Sequence, residues 1–297
     1  MSKRPVLPAV ALVLLLGAAV GAEVLRDGLY GEPAAADSVL YIRSGDFLKR
    51  ASVSNASLLA DVYWLRAIQY FGGNRRLAQP NSRHYELLYP LLDIVTTLDP
   101  DFTIAYRFGA IFLAERYPDG PGRLDLSVAL LEKGIRTDPL KWRYEQDLSF
   151  VYYWYGHDYR RAAETAERAA RVPGAPWWMR SLAAVMYSTG GDRRTSRALW
   201  QQLRQTADNE WVRNNAAWRL SQLDALDQID ELERIVTAFT RSTGTPPASW
   251  QTLMGGGWLR GEPLDPSGTP YLLDRGTGRV AVAPDSKLSP LPVEPGT

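Results

Sequence analysis

Cysteine is absent from the 297-residue chain, and histidine is limited to His84 and His157. The first absence excludes a disulfide scaffold, a thiol nucleophile, cysteine-ligated zinc, iron–sulfur ligation and a lipidated N-terminal cysteine together. The second leaves little of the usual acid–base and metal-ligand set. His84 follows Arg83 in a polar stretch, His157 lies in Gly156-His-Asp-Tyr159, and neither has a second histidine or a carboxylate at metal-ligand spacing. Charge of one sign is lacking as well. A formal net charge of +1 is not the basic excess that neutralises phosphates, so no nucleic-acid partner is expected. Phosphate loops of the Gly-Lys-Ser/Thr kind, Gly-x-Ser-x-Gly elbows and His-Glu-x-x-His are missing too. No catalytic residue, metal or cofactor is therefore assigned.

Hydrophobic residues make up 45% and charged residues 23%, the usage of a folded chain whose length suits about two domains. Aromatic side chains with polar tips dominate, with 10 Trp and 15 Tyr against 7 Phe; these suit packed helical layers and binding surfaces. Lys3 and Arg4 precede an uncharged run from Pro5 to Ala22, the pattern of an export segment. Two outcomes fit it: an uncleaved single-span anchor, or a signal peptide cleaved after Val20-Gly21-Ala22; a buried soluble helix is disfavoured, since an all-round apolar helix there has little to pack against. Either places the bulk of the chain outside the cytoplasm. Asn55-Ala-Ser57 matches a glycosylation sequon, which matters only in a eukaryotic secretory route.

The middle of the chain repeats. Leu148-Ser-Phe-Val-Tyr-Tyr-Trp-Tyr-Gly156 aligns with Leu182-Ala-Ala-Val-Met-Tyr-Ser-Thr-Gly190 at a spacing of 34, as do Ala162 with Ser196 and Ala166 with Trp200. An earlier copy begins at Phe108-Gly109. In each copy a large residue precedes a small one, and a bulky residue follows one turn later at Phe112, Tyr152 and Met186. Ser127, Leu131 and Gly134, then Ala162, Ala166 and Ala169, mark one face of the second helix of two hairpins. Asp99-Pro100 and Asp138-Pro139 end hairpins, since proline cannot continue a helix but is tolerated in a first turn. Those prolines lie 39 apart because the loop Tyr117–Arg123 is inserted, and a loop of that kind is expected to project. The first hairpin is read as a helix Ser57–Phe71, a basic loop Gly72–Arg83 and a helix around His84–Leu98 in which Pro90 predicts either a kink or a late start near Tyr89. After the repeats come Glu210–Leu223 and a separate acidic amphipathic helix, Asp224–Ser242. Its Asp224, Asp227, Asp230, Glu231 and Glu233 are read as a solvated face.

A period of 34 with these residue types resembles the tetratricopeptide repeat family, most fully over 100–205. The resemblance implies a groove lined by the first helix of each hairpin. Carried over residue by residue, it comprises Thr103, Tyr106 and Ala110, then Arg143, Gln146, Phe150, Tyr153 and Trp154, then Trp177, Arg180 and Tyr187. Trp, Tyr and Arg are the residues that anchor interfaces. Arg160-Arg161 and Arg193-Arg194 open two successive helices, where the helix dipole disfavours cations; they are read either as ordinary solvated surface or as a basic ridge facing an acidic partner or lipid headgroups.

After Arg241 glycine, proline, serine and threonine take over. A short helix Ala248–Met254, a strand from Tyr271 to Leu273, a turn Asp274–Gly278 and a strand Arg279–Ala283 make a small α+β module. A long helix, Thr-Gly-x-x-Pro, Trp250, Leu253 and Asp265-Pro-Ser-Gly-Thr-Pro-Tyr271 are similar to the globular end of type II secretion pseudopilins, with Ser267 where that family has tryptophan. The prepilin cleavage motif is missing, which speaks against assembly as a pilin.

The expected protein is thus mostly α: an export segment over 1–30, a linker over 31–54, a tetratricopeptide-type α-solenoid of helical hairpins over 55–223, a capping helix and pseudopilin-like α+β module over 224–283, and a proline-rich, extended or mobile tail over 284–297. The expected function is that of a non-enzymatic, membrane-tethered scaffold binding protein partners, pilin-like or secretion-machinery subunits among them. The alternative is an envelope hydrolase or carbohydrate-binding protein that uses aromatic platforms.

Overall fold

A computed structural model describes residues 44–52 and 54–294, with isolated positions between 15 and 25. Apart from those positions, the expected export segment and most of the expected linker lie outside the described residues. Most of what is described is helical, with one two-stranded antiparallel sheet. Two compact units divide it, one running to Ala105 and including Tyr117–Pro121, the other made of Tyr106–Arg116 and the chain from Gly122 onward.

The first unit holds α1 (Gly45–Ala51), α2 (Ala56–Arg76) and α3 (Leu88–Leu98), with α3 packed against both others. Helix α2 runs past the expected end at Phe71, because the Gly72-Gly73 pair is followed by Asn-Arg-Arg and no proline intervenes before Pro80. Pro90 falls in the first turn of α3, where its missing N–H costs nothing. The inserted loop does not project. Tyr85 Oη and Arg83 Nη1 donate to Pro118 O at 2.9 and 3.2 Å, and Tyr117 Oη donates to Pro80 O at 2.6 Å, so it is clasped against the turn between α2 and α3.

Helix α4 (Thr103–Ala114) leads into the second unit, which continues with α5 (Leu124–Thr137), α6 (Trp142–Val151), α7 (Tyr159–Arg171), α8 (Trp178–Thr189), α9 (Arg193–Thr206) and α10 (Glu210–Thr243). From α5 to α10 each helix packs against the next in sequence, the arrangement of a helical solenoid. Where paired helices cross, small residues let the backbones approach and a hydroxyl spans the gap. Ser127 Oγ donates to Ala110 O at 2.7 Å, Ser149 Oγ to Ala162 O at 2.8 Å, and Ser196 Oγ to Ala184 O at 2.7 Å, all buried. Asp158 and Asp192, 34 residues apart, cap α7 and α9 through the N–H groups of Arg161 and Thr195. These carboxylates stand at the positive helix ends and offset the cations that follow them.

Helix α10 is one continuous helix, not the two expected. No glycine or proline interrupts Leu220, Leu223 and Leu226, which are all buried in a single core with Trp200 and Leu203. Its far half forms the floor of the C-terminal module, where Leu232 and Val236 pack with Trp250 and Leu253 of α11 (Trp250–Gly255), Tyr271, and Val280. Strands β1 (Leu272–Leu273) and β2 (Val280–Ala281) pair Leu272 with Ala281 and Leu273 with Val280. Gly278, at φ +73°, permits the turn, and a Cβ there would lie 2.9 Å from Val236 Cγ1. The Asp265 turn is a buried hub: its carboxylate accepts from the N–H groups of Ser267 and Thr269 and from the hydroxyls of Ser267 and Ser286. Burial works against that charge, but the four donors outweigh it and hold the carboxyl below its ordinary value.

The tail is not free. Trp218 Nε1 donates to Lys287 O, and Gln222 Nε2 to Leu288 O and Pro290 O, each at 2.8 Å. The buried side-chain amide of Gln222 thus has both its acceptors supplied by one peptide segment.

Candidate protein-binding surface

The expected groove residues divide into three groups. Tyr106 and Ala110 are buried in the core, because Gly134 offers no side chain and the Tyr106 ring fills the space, 5.2 Å from the ring of Tyr144. Tyr187 is likewise core rather than groove. It packs into the pocket left by Ala162, Ala163, Ala166 and Ala169, with its hydroxyl 3.4 Å from Glu167; burial and that carboxylate both raise its pKa. Thr103 is half-buried and donates to Asp101 O.

A second group gathers where α6 ends. The helix closes in a π-turn, Tyr152–Gly156, with His157 in the left-handed region at φ 50°. Phe150 and Trp154 stand 6.1 Å apart, centroid to centroid, and Tyr153 lies 5.2 Å from both Trp154 and Tyr159. Trp154 is 57% exposed and Phe150 is exposed beside it, whereas Tyr153 is half-buried. Arg116 Nη2 approaches His157 Nε2 to 2.5 Å. Guanidinium only donates, so Nε2 accepts and the ring proton belongs on Nδ1.

The third group lies at the opposite, N-terminal ends of α6, α8 and α10. Trp142 and Trp178 meet edge to face at 6.0 Å, and Trp177 and Trp211 at 5.9 Å. Arg143 is exposed, its guanidinium 4.8 Å from the Trp142 ring centre, within cation–π reach. Trp177 is 55% exposed and Trp211 63%. With Arg180, Trp177 lines an open cavity of about 470 Å³ whose other walls include Leu203, Asp208, Asn209 and Val212. This ledge can hold a partner's apolar side chain against Trp177 while Arg180 and Asp208 orient its polar groups.

Trp211 escaped sequence reasoning although it lies 34 residues after Trp177, one repeat on; the repeat spacing was the signal that could have found it. Arg107 escaped too. Half-buried beside Tyr106, it holds Asp147 through Nε and Nη2, at 2.5 and 3.1 Å. Gln146, one residue earlier, is half-buried. The Asp147 hydrogen bond raises the Arg107 pKa against the opposing effect of burial.

The basic ridge is broken. Arg160 and Arg161 are exposed but pair with Glu164 and Asp158, and Arg194 is exposed. Arg193 turns inward, where its side chain is 17% exposed. It meets Glu294 through Nε and Nη2 at 2.7 and 2.6 Å, and Asp230 and Asp227 through Nη1 at 2.6 and 3.0 Å. Glu294 above all, with Asp230 and Asp227, raises its pKa further, against the effect of burial. Arg197 likewise binds Asp224 and Asp227. The face of α10 expected to be solvated is thus in part the counter-charge for α9, and Glu233 Oε1 accepts from Val280 N at 3.0 Å.

Among the described residues no helix is long and apolar enough to cross a membrane, and no group of three or more His, Asp or Glu is placed to hold a metal ion. The chain matches no protein-family model, no curated protein and no solved structure.

Proposed function

We propose that this chain is a non-enzymatic, exported and membrane-tethered scaffold of the tetratricopeptide type that binds protein partners. The exposed Trp177–Trp211 pair beside Arg180, repeating at the period of the hairpins over an open cavity, carries this reading. Such aromatic and arginine side chains are the usual anchors of protein interfaces. The hydroxyl–carbonyl bridges at three helix crossings support the repeat type, since they fall at the positions where the family requires small residues. The lysine–arginine start and apolar run favour export and tethering. The Asp265 turn and its β-hairpin favour a pilin-like or secretion-machinery subunit as partner.

Proximity labelling on the membrane fraction identifies the partners, and co-purification measures them. Trp177→Ala with Arg180→Ala is expected to lower recovery strongly, since truncating a hot spot costs about 2 kcal/mol or more. Trp154→Ala reports separately on the cluster at the π-turn. Partners recovered at wild-type yield from the double variant would show that this ledge is not the binding surface.

A further inference from the structure

The strip of α10 that holds residues 286–294 has the features of a peptide-recognition site. Trp218 and Gln222, one helical turn apart, donate to three main-chain carbonyls, those of Lys287, Leu288 and Pro290. Leu288 is buried, and Leu291 packs on the core formed by Trp200, Leu203, Leu220 and Leu223. Arg193 closes the strip by gripping the Glu294 carboxylate with two nitrogens. Leu288, Leu291 and Glu294 recur every third residue, on a segment that begins in turns, with Ser286 N donating to Ala283 O and Ser289 N to Ser286 O. Donors to main-chain carbonyls supply affinity for a peptide backbone, and spaced side-chain anchors supply its register.

The fit of the tail is incomplete at one position. Pro292 covers a void of about 10 Å³ lined by Val185, Ser188, Trp200, Arg219 and Leu223. Ser188 Oγ and Arg219 Nε are buried there, and among the described residues neither has a hydrogen-bond partner. Proline has no side-chain donor or acceptor to offer them, and a space of that size is at the limit of one water. Burial lowers the Arg219 pKa with no carboxylate opposing it, whereas Arg193 serves three carboxylates.

We propose that this strip is a peptide-binding site filled in cis by residues 286–294, and that it takes in trans a proline-containing peptide of the same turned form with an acidic side chain where this chain has Pro292. That carboxylate would meet Arg219 and Ser188, so such a peptide displaces the tail, which then acts as a tethered competitor.

The test titrates two fluorescent peptides into the full-length chain in mild detergent: residues 285–294 as they stand, and the same peptide with Pro292→Glu. In a full-length variant whose own tail is weakened by Leu291→Asp and Glu294→Arg, the unaltered peptide is expected to bind at least about tenfold more tightly than in wild type, because the tethered competitor is removed. The Pro292→Glu peptide should gain about tenfold more, the scale of a buried charge-assisted hydrogen bond. Adding Arg219→Met should abolish that second gain and leave the first. If the weakened variant keeps the helical circular dichroism of wild type yet binds neither peptide above a scrambled control, the proposal fails. It fails equally if Arg219→Met leaves the preference for glutamate intact. Should the weakened variant not fold, wild type decides: excess Pro292→Glu peptide must speed hydrogen exchange of the amides in 286–294, and unchanged exchange overturns the proposal.

Discussion

The hairpins α6 to α9 and the module beyond α10 solve the same problem in opposite ways. Between α7 and α8 the core is built from Ala162, Ala163, Ala166, Ala169 and Ala183, with Met179, Met186 and Tyr187 filling the space that those side chains leave. Its contacts join residues within one or two hairpins. The module instead depends on a few polar atoms that reach far along the chain. Trp250 Nε1 donates to Tyr271 O at 2.7 Å, Tyr271 Oη to Gln228 Oε1 at 2.8 Å, and the Asp265 carboxylate gathers the Ser267 loop and Ser286. Burial, with Asp265 and Asp224 adding to it, raises the Tyr271 pKa and keeps that hydroxyl a donor. A repeated fold can spread its stability over many similar small contacts. A module this small concentrates it in a few.

Variants can break that contrast. The largest loss is expected from Trp250→Ala, about 3–5 kcal/mol in denaturant unfolding, since a nearly buried indole and its bond to Tyr271 O are both lost. Ala162→Leu overfills the close crossing with Ser149 and should cost about 1–3 kcal/mol; an equal or greater loss than Trp250→Ala would mean that the hairpins are no more tolerant than the module. Asp265→Asn keeps the shape but removes the charge that four donors hold, and should cost about 1–3 kcal/mol at neutral pH. Because the folded-state pKa of Asp265 is lowered, its contribution is complete above about pH 4 and lost as pH falls through the folded value. Acid unfolding of the variant should therefore begin from lower stability and decline less steeply than that of wild type. Asp158→Ala removes the cap of α7 and should cost about 1 kcal/mol, seen as a small drop in melting temperature. Arg160→Ala, at an exposed arginine whose ion pair is with Glu164 on the same helix, should leave the melting temperature unchanged.

Most helices were legible from proline, glycine and the 34-residue spacing, since these act over a few residues. The π-turn after α6 was not, because Tyr152–Gly156 differs from an ordinary helix end only in the bonds that its carbonyls accept. Tyr106 and Tyr187 were misread for a different reason: whether an aromatic ring points outward depends on the residue opposite, here Gly134 or an alanine patch on another helix. Arg193 and Arg194 are adjacent and chemically identical, yet one is drawn into three carboxylates and the other stays exposed. One helical step of about 100° separates them, and only the packing of α9 on α10 decides which side faces acid.

The sequence by itself determined that the chain is mostly helical and where proline and glycine punctuate it, because composition and short-range periodicity act locally. The tertiary structure decided which aromatic rings are core and which are surface, and it placed Trp211 beside Trp177. It also decided that the proline-rich tail is bound, since Trp218 and Gln222 meet it across some 66–69 residues of chain. Nothing in the composition of either segment specifies that meeting; it exists only once α10 is laid against its neighbours and its remaining donors face the tail.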